Sequence, residues 1–393
     1  MRSRTQSFTL IFIGFLIISG TFGAGFASAM IINRHLSPRA TEPDAFDLFW
    51  EAWGLVEQDF FGELPSETEL TYGAIRGSLT ALNDPYSIFV EPEPREMERD
   101  DFRGSYGGIG AYVSQNEDGE FVLNPIDENQ PSAMAGILPG DILLEIDGQP
   151  VSKEMTVEDI VVAIRGPLGE DVNLTVRHPE ALEPVVITVV RAVIELPSVY
   201  WRILEEDPGI GYIQLTRFTA RSPEEVQTAI EELEEEGTDR LILDLRHNPG
   251  GLLNAAVDVA GHFLDGDVVL YEKRAGADEK SFVATKDGVA TELPLVVLID
   301  GGTASASEIL AGALQDHQRA TLIGEKTFGK GAVQNVYELS DGSSLHITSA
   351  RWFTPNHQEL DGNGLSPEIE VQPENADSDI QLIRAVEFLQ TGQ

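Results

Sequence analysis

Leu295-Val296-Val297-Leu298-Ile299-Asp300-Gly301-Gly302-Thr303-Ala304-Ser305-Ala306-Ser307-Glu308 is the stretch that decides the fold. It reads as an apolar strand over 295–300 running into a Gly-rich turn, followed by a helix over 306–315. The same alternation surrounds it: strand 210–215, helix 223–236, strand 241–245, a Gly turn, helix 252–264, and strand 321–324 beyond. Strands and helices in turn argue for an α/β layer fold. Helix 223–236 is opened by Ser222, with Pro223 at its first position and Glu225 closing a capping box. Its acidic face (Glu231, Glu232, Glu234, Glu235 and Glu236) reads as solvated. Residues 379–389 are amphipathic enough to dock as a terminal helix.

The deciding stretch also carries chemistry. A Ser on a strand-to-helix turn sits at an exposed edge beside free helix N–H groups, which would stabilise an oxyanion formed by its attack on a carbonyl. The same Ser305 with Glu308 spells a capping box, which needs no catalysis. Further on, Thr327-Phe328-Gly329-Lys330-Gly331 places a Lys between two glycines, where other backbone can approach closely. If the chain is extended there, Lys330 and Gln334 project from one face and Gln334 would hold the Lys head group. Residues 324–330 match the first seven positions of a phosphate-binding loop. Gly331 stands where that loop needs Ser or Thr, and a strand-like pattern follows instead of a helix, so this is no nucleotide site. Asp244-Leu245-Arg246-His247-Asn248-Pro249-Gly250-Gly251 forms another strand-to-helix turn, whose glycines suit a second oxyanion donor. Pro249 stands where a trypsin-like scheme would want its Ser, and the seven His make no zinc motif.

Working outward, residues 104–191 change texture to short strands separated by Gly and Pro, at 110–114, 121–124, 142–146, 172–177 and 185–190. Short helices fit at 132–135 and 157–164. This is the rhythm of a compact module of ~90 residues. Before it, a helix over 47–61 carries aromatics at helical spacing and is expected to face a core. A second helix is expected over 69–82, stopping before Asn83-Asp84-Pro85, and residues 91–103 fit either a solvated linker or a helix. At the amino end, Arg2 and Arg4 precede an apolar run over 8–32, long enough to span a bilayer. Ala27-Ser28-Ala29 would suit a cleaved signal; apolarity continues past it, which favours an uncleaved anchor. Both readings export the protein.

The chain has 393 residues, room for two or three domains, with 26 Lys plus Arg against 66 Asp plus Glu and a net charge of −40. That charge repels phosphate backbones and argues against nucleic acid as a partner. No cysteine is present, so a thiol nucleophile, a Cys zinc site and disulfides are all excluded.

Several stretches together resemble the carboxyl-terminal processing (tail-specific) proteases. They are Asp84-Pro85-Tyr86-Ser87, Tyr106-Gly107-Gly108-Ile109-Gly110, the run over 131–148 ending in Gly-Asp and an apolar strand, and the blocks around Ser305, Lys330 and Gly251. The resemblance implies a ClpP/crotonase-like α/β protease core with an inserted PDZ domain, behind a helical segment and a membrane anchor. The expected divisions are an anchor at 1–35, a helical region at 36–103, the PDZ domain at 104–191, the protease core at 192–373 and a terminal helix at 374–393. It implies Ser305 as nucleophile, with Ser307 the poorer rival, Lys330 as general base, and Gln334 orienting it. Backbone N–H groups of Gly251 and Ala306 would form the oxyanion hole, without metal or cofactor. Partners would be proteins with apolar C-terminal tails, held at Gly107, Gly108, Ile109 and Gly110, with Ile109 lining the pocket. Arg165, after the helix expected to flank the groove, is assigned to reporting its occupancy. A homodimer stays open, as does a silent PDZ adaptor at the membrane, which would have no need of Ser305, Lys330 and Gln334 together. His247 and Thr303 depart from the family's usual Asn and Ser.

Overall fold

A computed structural model describes residues 45–372 and 378–392. They fall into two units, one up to Thr71 and one from Tyr72 onward. The apolar segment within 1–35 lies outside the described residues; among these, no helix is long and apolar enough to cross a membrane.

The first unit contains α1 (Ala45–Asp59) and the start of α2 (Glu67–Thr80). Helix α1 forms where its spacing requires, but among the described residues it does not face a core. Phe46, Leu48, Trp50 and Leu55 are exposed, while Phe49 lies tilted against Phe46 and edge-on to Trp50, at 6.1 and 5.1 Å between ring centroids. Periodicity identifies an apolar face without saying what covers it. Helix α2 opens on a capping box: Ser66 N–H donates to the Glu69 carboxylate at 2.7 Å and Glu69 N–H to Ser66 Oγ at 3.2 Å.

In the second unit, β1 (Ile88–Val90) leads into α3 (Pro92–Arg103), so residues 91–103 are a helix. Proline at its start and Gly104 at φ 73° bound it, the Gly104 N–H closing on the Asp100 and Asp101 carbonyls. Strand β2 (Ser105–Gly108) pairs antiparallel with β9 (Ala192–Glu195), making a two-stranded neck. Between its strands lies a module of β3 (Ala111–Gln115), β4 (Phe121–Pro125), α4 (Pro131–Ala135), β5 (Asp141–Ile146), β6 (Gln149–Pro150), α5 (Val157–Ile164), β7 (Asp171–Arg177) and β8 (Val185–Val190). Its sheet runs β3-β4-β5-β7-β8, with β6 on β5, around a fully buried core that includes Leu123, Ile160, Val172 and Leu174.

The remainder comprises β10 (Val199–Leu204), β11 (Asp207–Leu215), α6 (Ser222–Glu235), β12 (Arg240–Asp244), α7 (Leu253–Ala260), β13 (Val268–Arg274), β14 (Lys280–Val283), β15 (Leu295–Ile299), α8 (Ala306–Asp316), β16 (Thr321–Gly324), β17 (Ala332–Glu338), β18 (Ser344–Phe353), β19 (Ile369–Glu370) and α9 (Ile380–Thr391). One sheet has the order β10-β11-β12-β15-β16-β19 and is parallel from β11 to β19. Leu295, Val297 and Ile299 of β15 join a core with Val226, Ile230, Leu310 and Leu314 of the helices. Val296 and Leu298 join another with Leu382, Ala385 and Val386 of α9. Both faces of β15 are covered, which is why it reads as an unbroken apolar run. A second sheet, β1-β18-β13-β14 with β17 also on β18, carries the antiparallel strands.

Two local expectations change. Ser222 does not cap α6. Its hydroxyl is buried and bonds to the Arg217 carbonyl (3.0 Å) and the Thr219 N–H (2.7 Å), while the Glu225 carboxylate takes Ser198 N–H and Oγ at 2.8 and 2.7 Å. Tertiary partners have displaced the local ones. The helix expected over 252–264 stops at Ala260, and the turns beyond it still bury Phe263 and Leu264.

Candidate active site

Strand β15 ends at a turn that the Asp244–Gly251 segment braces. The buried Asp300 carboxylate accepts the N–H groups of His247 and Gly302, both at 2.9 Å. Thr303 Oγ1 donates to the Leu245 carbonyl at 2.8 Å. The Asn248 carbonyl receives Ala304 N–H and Ser307 Oγ, each at 3.0 Å, and the Asn248 side chain is itself pinned on the Leu215 carbonyl at 2.7 Å. At the apex, Ser305 adopts φ 54° and ψ −117°, a conformation that costs a non-glycine residue about 1–3 kcal/mol. Ser305 is partly exposed; Ser307 is fully buried, with its hydroxyl committed to Asn248.

Gly250 and Gly251 lie against this turn. A Cβ on Gly250 would meet the Ala304 carbonyl oxygen and Ala306 nitrogen at 2.8 Å and Ser305 Cβ at 2.9 Å. A Cβ on Gly251 would meet the Phe218 carbonyl oxygen at 2.1 Å. Ala306 is the first residue of α8, so its N–H is one of the helix donors without an intrahelical acceptor. Gly251, Ser305 and Ala306 line one cleft of about 380 Å³ together with Lys330 and Gln334.

The Lys330 loop is held by a carboxylate inside the protein. Glu308 is fully buried and closes the capping box on the Ser305 N–H at 2.9 Å. It also accepts Gly329 N–H at 2.8 Å, Lys330 N–H at 2.9 Å and Thr327 Oγ1 at 2.5 Å. Capping and catalysis are therefore not rival readings of Ser305: the cap reaches across and fixes the second loop. Gly331 lets that loop pack against Asp361, whose nitrogen would lie 2.5 Å from an added Cβ.

Lys330 Nζ donates to Gln334 Oε1 at 2.9 Å and stands 5.4 Å from the centre of the Tyr86 ring. Burial pushes its pKa below the usual lysine value, opposed by the Glu98 carboxylate. Among the described residues no ion pair involves Lys330. A strained, accessible hydroxyl and a partly buried amine thus share a cleft with backbone donors, the parts that acyl transfer by an activated serine requires.

Comparisons with known proteins agree. Residues 209–371 match the peptidase family S41, and residues 122–178 match a PDZ domain. Over 314 residues the chain is 39% identical to the carboxy-terminal-processing protease of Bartonella bacilliformis, covering 79% of this chain and 71% of that one. Over 325 residues it is 38% identical to the carboxyl-terminal-processing protease of Synechocystis, covering 82% and 76%. The chain belongs to the S41 carboxyl-terminal processing proteases. In fold it is also similar to an S41 protease structure from Bacteroides fragilis, with a TM-score of 0.50 at 15% identity over 91% of this chain and all of that one. It is a serine-type peptidase.

In this S41 peptidase the residues assigned to the tail site lie at the neck and at the entry to the first strand of the PDZ module. Gly107 and Gly108 are strand residues of β2 rather than loop residues. Gly107 packs under Gly166, whose carbonyl oxygen would lie 2.2 Å from an added Cβ. Ile109 is 3% exposed and belongs to the module's core. Gly110, at φ 69°, turns the chain into β3, and its carbonyl accepts Ser132 Oγ at 3.0 Å. Arg165 shares a pocket of about 210 Å³ with Gly107 and Asp100 of α3. Its guanidinium stacks 3.9 Å from the Tyr106 ring centre, with Nε and Nη1 buried and unbonded.

Sequence reasoning missed the reach of Glu308, although the Ser-x-x-Glu spacing flagged it as a cap. It also missed Glu98 and His346, which line the cleft and pair at 3.3 Å. Burial raises the Glu98 pKa, but hydrogen bonds from His346 and Arg95 outweigh it and hold the carboxyl below its ordinary value. Residues far apart in the chain carry no local signal of such a pairing.

Proposed function

We propose that this peptidase is exported, anchored by its first 35 residues, and cleaves proteins near apolar C-terminal tails. Ser305 is the nucleophile and Lys330 the general base. The observation that carries this reading is the Lys330–Gln334 pair in one cleft with the strained Ser305, with one carboxylate holding both backbones. Neutral Lys330 takes the Ser305 hydroxyl proton as Oγ attacks the scissile carbonyl. The oxyanion forms toward the N–H groups of Gly251 and Ala306, and Lys330 returns the proton to the leaving amine. Water then hydrolyses the acyl-enzyme.

The PDZ sheet supports the substrate class. β3 is its edge strand, and α5 packs beside it, so an extended tail can add as a further strand. Gly110 stands at the entry to that strand, and Arg165, between the PDZ domain and α3, would report its occupancy. The test is incubation with an unfolded protein bearing an apolar C-terminus, cut sites being mapped by mass spectrometry. Cleavage by the wild type that vanishes in both Ser305→Ala and Lys330→Ala is the expected result; persistence in either variant would refute the assignment.

A further inference from the structure

The orientation of Gln334 is set from outside the cleft. A glutamine amide presents either its oxygen or its NH₂ to a neighbour, and its other contact decides which. Here Gln334 Nε2 donates to the backbone carbonyl of Tyr86, so Oε1 must face Lys330. The Tyr86 carbonyl belongs to the turn Asp84-Pro85-Tyr86-Ser87. The Asp84 carboxylate accepts the Tyr86 N–H at 3.1 Å and Ser87 Oγ at 2.5 Å, and Ser87 Oγ in turn accepts the Thr348 N–H at 3.2 Å. Thr348 is the register partner of Gln334 across the β17–β18 ladder. The turn is therefore bolted to the strand that stands opposite the glutamine.

We propose that Asp84 is a positioning residue for catalysis: it fixes the turn whose Tyr86 carbonyl orients Gln334, which in turn aims the Lys330 amine. This rests on the Ser305–Lys330 reading. A neutral amine that donates one N–H to Gln334 Oε1 has its lone pair directed elsewhere, and the Ser305 side of the cleft is where it is needed. The Asp84 carboxyl suits the task. Burial raises its pKa, but the hydrogen bonds from Ser87 and the Tyr86 N–H outweigh this, so it stays ionised and acceptor-only. The Tyr86 ring centre also stands 5.4 Å from the Lys330 Nζ, so the turn reaches the lysine through its ring and, by way of Gln334, through its carbonyl, across a separation of 248 residues between Tyr86 and Gln334.

Two signatures separate this role from mere support of the fold. If Gln334 turns its oxygen away, the ammonium loses an acceptor while the neutral amine loses its aim. The pKa of Lys330 then falls and the acid limb of the kcat profile moves to lower pH, even as the plateau drops. Loss of folded enzyme alone lowers the plateau and leaves the limb in place. The experiment measures kcat and KM across pH, with melting temperatures, for the full-length wild type, Asp84→Ala and Asp84→Asn, with Ser305→Ala as blank. Asp84→Ala is expected to lower kcat by about 30-fold, and Asp84→Asn, which keeps one acceptor oxygen, by about 3-fold. KM should stay within about 2-fold and the acid limb should shift downward in both. Should the alanine variant fail to fold, the limb position in Asp84→Asn still decides. An unmoved limb in the folded variants would overturn the proposal while leaving the Ser–Lys assignment intact, provided that Ser305→Ala is inactive. Activity in Ser305→Ala would overturn both.

Discussion

The Glu308 carboxylate accepts the backbone N–H of Lys330 at 2.9 Å and, through the same oxygen, that of Ser305 at 2.9 Å. The positions of the proposed nucleophile and base are thus two consequences of one buried anion, and neither can drift without stretching a charge-assisted hydrogen bond. Glu308→Gln keeps the shape but turns an NH₂ group on donors that need an acceptor. It is expected to lower kcat about 100-fold, since a displacement near 1 Å is enough for that, and to lower stability by about 1–3 kcal/mol through the unsatisfied buried donors. Steady-state kinetics beside a urea melt would check both; normal kcat would show that the two loops hold their places without the anion.

Lys330 supplies a pH dependence with a definite sign. Its pKa is depressed by burial, with Glu98 pulling it back up, and only the neutral amine can accept the Ser305 proton. Activity should therefore rise with pH through the folded-state pKa of Lys330, and Glu98→Gln should move that rise to lower pH. Stability follows the same protonation. Between the depressed folded value and the higher unfolded one the unfolded chain binds more protons, so this group's destabilising effect is full below the folded pKa and fades as pH rises. Lys330→Met should consequently melt higher than the wild type at neutral pH, with the gap closing in strongly alkaline buffer. A constant gap across pH would mean that the lysine is not charged on unfolding or not buried on folding.

Ser307 offers the cleanest separation of the two serines. Its hydroxyl is fully buried and donates to the Asn248 carbonyl, which Ala304 N–H also satisfies. Ser307→Ala removes one hydrogen bond without stranding its acceptor, so the cost should be about 0.5–1.5 kcal/mol. Activity should stay within about 3-fold, measured by the same cleavage assay, whereas Ser305→Ala should abolish it. An inactive but folded Ser307→Ala would reverse the assignment.

The strands and helices that form the central sheet were legible because each obeys one local rule. β15 is apolar throughout since α8 covers one face and α9 the other. β18 was not legible: Ser344 and His346 are polar yet buried, bonded to each other at 3.1 Å and, through His346, paired with Glu98 of α3 far along the chain. The same distinction divides the site. Glycine context and spacing mark Lys330 and Gln334, whereas Ser305 reads locally as a helix cap as well and is singled out by the family resemblance. The Tyr86 carbonyl and the loop-spanning reach of Glu308 depend on chain crossings 248 and 22 residues apart, and α1's exposed aromatics show the converse, a periodic face whose surroundings the pattern does not specify.

Gly250 and Gly251 lead to the sharpest test of the oxyanion site, because their side-chain space is filled in different ways. At Gly250, φ is 99° and an added Cβ would press on the Ala306 nitrogen and Ser305 Cβ. At Gly251, φ is 144° and the Cβ would strike the Phe218 carbonyl, fixed backbone 2.1 Å away. Gly250→Ala should therefore crowd the proposed Ala306 donor and strain the turn, with contacts at 2.8–2.9 Å that need a smaller shift than the one at Gly251. The expected result is a folded enzyme with KM little changed and kcat lower by about 10²–10³-fold, the effect of losing one oxyanion donor. Gly251→Ala demands a much larger shift, its Cβ falling 2.1 Å from the Phe218 carbonyl oxygen, and should unfold or melt far lower. Circular dichroism with active-site titration by a serine-reactive fluorophosphonate would separate the two. Full labelling and full turnover in Gly250→Ala would place the oxyanion away from the Ala306 N–H.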